Sequence, residues 1–176
     1  MSDDDAFLDA FLERLDMLHN LARGLTDSAQ DAEDLVQETC LLGLRGWRRR
    51  APDDAGPWLA TVCLNAARSG YRRRAVRPHE VGADDWLGDL PAADDTAAQA
   101  LAAVDVHRVR AALRLLPEAQ REAITLMDLG GWTAAATAAI VGAPRGTVLA
   151  RVHRGRKALA VLLRDGQEVD GDGPRR

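Results

Sequence analysis

The sequence predicts an all-α fold, two small helical domains joined by a flexible acidic linker. Three observations predict it. Hydrophobic residues make up 47% of the 176 residues but aromatics only 4%, and much of the apolar content is Ala and Leu, which favour helix. Apolar residues recur at helical spacing in stretches separated by Gly and Pro. Between the two helical stretches, residues 79–103 are rich in Asp and carry Gly82, Gly88 and Pro91 but no Lys or Arg.

In the first domain, residues 1–78, Phe7, Phe11, Leu15, Leu18, Ala22 and Leu25 place one amphipathic helix over 6–25. Thr26-Asp27-Ser28 breaks it and can cap a second helix, 29–47. Residues 51–57 form a loop, and a third helix runs from about Trp58 to Arg74. In the second domain, residues 104–166, a helix spans Val104–Leu116. Pro117, at a first-turn position, opens another that reaches Leu129, and Gly130-Gly131 ends it. Thr133 can cap a short helix to Val141, Gly142-Ala143-Pro144 turns the chain, and a long helix runs from Arg145 to about Leu163. The polar tail, 167–176, reads as disordered, and within the linker only Val81, Trp86, Leu87 and Leu90 offer apolar surface.

Several function classes drop out. No apolar run is long enough to span a bilayer, and the acidic start MSDDDAFLDAF lacks the basic region of a signal peptide, so a cytoplasmic protein is expected. Cys40 and Cys63 have neither metal nor disulfide-framework spacing and read as reduced, half-buried helix residues. His19, His79, His107 and His153 are scattered, so neither a metal nor a cofactor is expected. There is no phosphate loop, nucleophile elbow or metal-ligand spacing, and no enzymatic activity is expected.

The net charge of −4 conceals segregation. Residues 1–38 carry eleven acids and two arginines; 45–77 carry nine arginines and two aspartates; 78–106 carry seven acids and no Lys or Arg; 145–164 carry six basic residues and no acid. Alternating blocks suit two kinds of partner, one basic and one polyanionic, although unrelated solvated faces give the same pattern.

The blocks sort onto helix faces. On the second helix Asp31, Asp34, Glu38 and Arg45 share an outward stripe, and Leu35, Thr39, Leu42 and Gly46 share the expected core face. Early acids suit the helix dipole; the same stripe can dock a basic helix. On the third, Leu59, Val62, Cys63 and Ala66 face the core. Trp58, Thr61, Asn65, Arg68 and Arg72 lie opposite, followed by Arg73 and Arg74. An amide among arginines suits nucleic acid, because Arg neutralises phosphate and Asn pairs with base edges. Trp47 and Trp58 flank the loop and can either stack on bases or pack in the core. Residues 133–163 have the form of a helix-turn-helix. Its last helix buries Val148, Val152, Leu159 and Leu163 and turns Thr147, Ala150, His153, Arg154 and Lys157 outward; Arg145, Arg151 and Arg156 add charge for phosphates or guanine edges.

In this order the segments resemble the extracytoplasmic-function (ECF) sigma factors of the sigma-70 family. The carrying motifs are Asp31-Ala32-Glu33-Asp34-Leu35-Val36-Gln37-Glu38-Thr39, the run Trp58–Arg68 with its trailing arginines, Leu116–Ala123, and Gly142–Val148 with Arg151–Leu159. The resemblance implies a protein that directs core RNA polymerase to promoters and promotes melting. Region 2 (1–78) would bind polymerase and the −10 element, and region 4 (104–166) the −35 element. Asp31, Asp34, Leu35, Gln37 and Glu38 would engage the clamp of the largest polymerase subunit. Trp58, Thr61, Asn65, Arg68, Arg72, Arg73 and Arg74 would handle the −10 element, with the 48–57 loop near a flipped-out base. Arg145, Thr147, Arg151, His153, Arg154, Arg156 and Lys157 would meet the −35 element. The linker would thread toward the active-site cleft. The polymerase flap region and an anti-sigma factor would be further partners, and the free chain would be a monomer.

The sequence also departs from the family pattern. A usual Glu is Ala136, the aliphatic position after it is Thr137, and a basic residue and a serine are replaced by Leu149 and Ala150. These losses motivate a second reading, a sigma-like decoy or antagonist of an anti-sigma factor. A third, an ordinary helix-turn-helix regulator, accounts for 133–163 but not for the first 78 residues.

Overall fold

The computed structural model describes the backbone of residues 2–75 and 97–170 and the side chains of 2–73 and 106–164. Among these there is no β-strand; the chain forms eight α-helices and one π-helical turn.

Ser2 opens α1 (Asp3–Leu12) with a capping box: Asp5 N–H donates to the Ser2 hydroxyl while the Asp5 carboxylate accepts from the Ser2 backbone. The expected single helix over 6–25 is in fact two. At Glu13–Arg14 the chain turns, and α2 runs over Leu15–Leu25. The break lets Phe7 and Phe11 face α3 while Leu18, Leu21 and Leu25 serve a different core direction, which one straight helix cannot do. No Gly or Pro marks the turn, so nothing local betrays it.

Ser28 caps α3 (Ala29–Trp47), accepting from Asp31 N–H at 3.0 Å. Its buried face is Ala32, Leu35, Val36, Thr39 and Gly43. The expected core positions Leu42 and Gly46 are rotated off it: Leu42 is exposed and Gly46 only half-buried. The closest approach of α1 falls at Gly43, where a Cβ would sit 3.0 Å from the Phe7 ring. Phe7, Trp47 and Trp58 then form an edge-to-face chain, with centroids 5.7 and 6.1 Å apart, that ties α1, α3 and α4 together.

Helix α4 (Ala55–Ala75) starts three residues before the expected Trp58 because Asp54 accepts from Gly56 N–H at 2.9 Å, capping the first turn, where Pro57 needs no donor. Leu59, Cys63 and Ala66 are buried as expected, with Ala60, Leu64 and Ala67, while Val62 is only half-buried. Burial pushes the Cys63 thiol up to about 12, opposed by a weaker interaction with Thr39. Cys40 is half-buried, and both cysteines are free.

The acidic stretch 76–96, with Val81, Trp86, Leu87 and Leu90, lies outside the described residues, as does 171–176. Helix α5 (Ala97–Arg114) begins seven residues before the expected Val104, inside the segment read as linker. Pro117 stands at the N-cap of α6 (Glu118–Ile124), one position earlier than a first-turn residue, and a π-turn (Thr125–Leu129) completes the stretch expected as one helix. Gly131, at φ +69°, turns out of it. Thr133 caps α7 (Ala134–Val141) and Gly142 ends it at φ +69°, as the sequence indicates. Helix α8 (Arg145–Asp170) continues beyond Leu163, so residues 167–170 are helical rather than part of a disordered tail.

The two helical halves are in contact. One continuous core joins Leu18, Leu59 and Leu64 of the first half to Ala123, Leu126, Ile140, Val141, Val148 and Val152 of the second. Helix α2 lies on the π-turn and α4 on α7. Gly24 makes the first crossing possible: a Cβ there would stand 2.5 Å from Thr125 Cγ2. A smaller core of Leu113, Leu116 and Ile124, with Leu159 and Leu162 packed against it, holds α5 and α6 to α8.

Thr137, on α7, is fully buried, and its hydroxyl has no hydrogen-bond partner among the described residues. A buried hydroxyl without a partner costs about 1–3 kcal/mol. Thr137→Val, close in shape but apolar, is therefore expected to stabilise the chain by about 1 kcal/mol in urea denaturation; a loss of stability would show that the hydroxyl is satisfied after all.

Candidate nucleic-acid and polymerase interface

The residues singled out for binding fall on three surfaces. The acidic stripe of α3 is open at its centre: Asp34 and Gln37 are exposed, Asp31 and Glu38 half-exposed, and Leu35 buried in the core. Leu35 thus contributes to the stripe's position and presents little contact surface. Glu38 accepts from Arg73 of α4 at 3.0 Å, so the acidic and basic surfaces meet at one edge.

On α4 the structure separates residues that share a face in the sequence. Asn65 and Arg72 are exposed. Thr61 is half-buried and donates its hydroxyl to the Pro57 carbonyl at 2.9 Å. Trp58 is half-buried, its ring against Trp47 and over Gly46. Arg74's side chain lies outside the described residues. Arg68 faces the other half of the chain: its Nε and Nη2 donate to the two carboxylate oxygens of Glu122 on α6, both at 2.7 Å. The pair raises the guanidinium's already high pKa, chiefly through this hydrogen bonding.

On α8, Arg145, His153, Arg154, Arg156 and Lys157 are exposed, and Thr147 and Arg151 half-exposed. The positions that differ from the family pattern, Leu149 and Ala150, stand on the outward surface, with Leu149 41% exposed. Gly155 lets the helix approach α6, where a Cβ would meet Ile124 Cδ1 at 2.5 Å. Arg156 leans back on the π-turn, donating to both Asp128 oxygens at 2.9 and 2.5 Å. Arg151 lines a cleft of about 400 Å³ between the halves, together with Arg68, Arg72, Glu118 and Glu122.

Sequence reasoning missed the polar contacts that hold the halves together. Asp27, read only as part of a helix cap, accepts from Arg121 of α6 at 3.1 Å and from the Tyr71 hydroxyl at 3.4 Å, while its carbonyl accepts from Arg114 at 2.8 Å. The Arg121 guanidinium also lies over the Tyr71 ring, 4.7 Å from its centroid. Arg121 and Glu122 are both almost fully buried. Each sits in a helical stretch that looks like ordinary charged surface; the only signal was the alternation of acidic and basic blocks.

Comparison with known proteins finds two family matches along the chain. Residues 11–77 match the Sigma-70 region 2 family and residues 107–159 the Sigma-70, region 4 family. The ECF RNA polymerase sigma factor EcfG of Rhodopseudomonas palustris is 36% identical over 95% of this chain and 91% of its own. This chain is an ECF sigma factor. It is also 36% identical to the ECF sigma factor SigM of Mycobacterium tuberculosis, over 90% of this chain and 77% of that one. Among solved structures, the sigma factor RpoE of Bartonella quintana, in complex with the anti-sigma factor NepR, superposes with a TM-score of 0.71 at 29% identity, covering 90% of this chain and 97% of that one. A sigma factor is a transcription initiation factor that binds core RNA polymerase and promoter DNA.

No helix among the described residues is long and apolar enough to cross a membrane.

Proposed function

We propose that region 2 spans residues 1–78 and region 4 residues 104–166, and that each charged surface has one partner. The carrying observation is the placement of two basic helix faces, on α4 and α8, and one acidic face, on α3, in a single chain. Asp31, Asp34, Gln37 and Glu38, positioned by buried Leu35, dock on a basic helix of the polymerase clamp. Asn65, Arg68, Arg72, Arg73 and Arg74 hold the −10 element, with Trp58 and Thr61 shaping the pocket for an unstacked base. Capturing that base offsets the few kcal/mol that unstacking costs. The exposed start of α8, with Arg145, Thr147, Arg151, His153, Arg154, Arg156 and Lys157, meets the −35 element in the major groove. The 79–103 segment runs toward the polymerase cleft, and the flap region receives region 4.

The protein acts in the cytoplasm as a monomer and has no catalytic activity of its own. The Bartonella relative is seen with an anti-sigma factor, which supports the same class of regulator here. The decoy reading is less well supported, because the acidic stripe is outward at Asp34 and the α4 surface is outward at Asn65 and Arg72.

Sequencing the 5′ ends of transcripts made by core polymerase with and without the protein tests the assignment. Discrete new start sites with shared upstream motifs are expected; polymerase binding without new start sites would favour the decoy. The α8 assignment has its own test. Leu149→Arg restores a charged group on the outward face and should tighten binding to the −35 duplex by about 1–3 kcal/mol, read by fluorescence anisotropy. An unchanged affinity would remove Leu149 from the DNA contact.

A further inference from the structure

Leu35, which the family resemblance places among the polymerase contacts, is 5% exposed and belongs to the core. The stripe on α3 nevertheless carries an apolar residue that faces outward. Leu41 is 59% exposed. On a helix it neighbours Gln37 one turn back, Glu38 three residues back and Arg45 one turn ahead, with Asp34 two turns back on the same line. Asp34, Gln37 and Arg45 are exposed and Glu38 is half-exposed. The outward row therefore runs from Asp34 to Arg45, about 17 Å along the helix, with a leucine inside it and an arginine at its end.

Single exposed leucines are ordinary on protein surfaces. Leu41 differs in where it points and in what surrounds it. The buried face of α3 is Ala32, Leu35, Val36, Thr39 and Gly43, and at 100° per residue Leu41 lies on the opposite side of the helix. It is flanked by polar groups of both signs, and an apolar contact inside a polar rim is the pattern in which one side chain carries much of a binding energy. A row of carboxylates alone attracts any basic surface. A leucine among them adds a demand on shape.

We propose that Leu41 is the apolar anchor of the polymerase-docking face: it seats on an apolar side chain that a basic helix of the clamp carries between its cations, and Arg45 meets an acid on the same helix. The inference rests on the assignment of the α3 stripe to the clamp. Charge and apolar contact then divide the work. Asp34 and Glu38 steer the partner, and salt screens their contribution. Leu41 removes apolar surface from water, a contribution that screening leaves in place.

The test measures the affinity of the full chain for its cognate core polymerase at about 0.1 M and about 0.4 M salt, between which the Debye length halves. Leu41→Ala keeps the helix and should weaken binding about ten-fold at both salt concentrations. Leu41→Met, apolar and of similar size, should stay within about three-fold of the natural chain. Asp34→Asn should weaken binding at the lower salt and much less at the higher. Val161→Ala, at a 41% exposed position on α8, should change affinity by less than about three-fold. An unchanged Leu41→Ala beside a weakened Asp34→Asn would overturn the anchor and leave the clamp assignment standing. A Leu41→Ala loss that disappears at the higher salt, or that Val161→Ala reproduces, would overturn the anchor too. No loss in either Leu41→Ala or Asp34→Asn would sink the clamp assignment and the anchor with it. Should Leu41→Ala melt earlier than the natural chain, Leu41→Gln, which also favours helix, decides by the same criteria.

Discussion

The guanidinium of Arg68 donates to both oxygens of Glu122 and, at longer range, to the Val141 carbonyl, and this contact registers the two helical halves on one another. Little of the stability of the closed form need come from that pair. Taking ions out of water costs several kcal/mol apiece, so this pair, with Glu122 buried and Arg68 30% exposed, contributes small net stability while fixing which surfaces can meet. The favourable term is apolar: Leu126, Ile140 and Val141 bury against α2 and α4 in a core shared with Leu18 and Leu59. Ion pairs then act as registration. Once the apolar surface is buried, Glu122 must find a cation, Arg121 must find an anion, and Arg68 and Asp27 are where the fold places them.

A chain with basic faces on both halves still carries a net charge of −4, because its 27 acids outnumber its 23 lysines and arginines. Asp27 meets Arg121 across the two halves, Glu38 meets Arg73 between α3 and α4, and Asp128 meets Arg156 between the π-turn and α8. On the proposed assignment, polymerase at the acidic stripe and DNA at the arginines would each draw on groups that the isolated chain uses internally. Arg73–Glu38 and Arg156–Asp128 are exposed and screened, and such pairs break at little cost.

Much of the fold was legible in the sequence where local chemistry decides it. Ser28, Thr133 and Gly142 fix helix ends through caps and a left-handed turn that only neighbouring residues determine. The break at Glu13–Arg14 was not legible, because tertiary packing imposes it on residues that would continue a helix alone. The rotation of α3 that exposes Leu42 has the same origin: Phe7 lies against Gly43, and the helix turns to admit it. Of the site, the acidic stripe and the outward start of α8 could be read from periodicity. The role of Arg68 as an interface residue could not, because its partner lies 54 positions away and both look like solvated charge. Thr137 is a further case: a position that reads as a lost aliphatic proves to be a buried hydroxyl without a partner among the described residues.

The two helical halves share one core in the free chain, and the proposed assignment has them bridge two promoter elements when polymerase holds the chain. Pulsed electron resonance between spin labels on the exposed Glu13 and Ala160, outside the proposed DNA contacts, measures that directly, in the free chain and in the holoenzyme–promoter complex. The account predicts a distance within the roughly 40 Å of a compact chain when free, lengthening toward the roughly 85 Å that separates the elements in the complex. The same short distance in both states would contradict it.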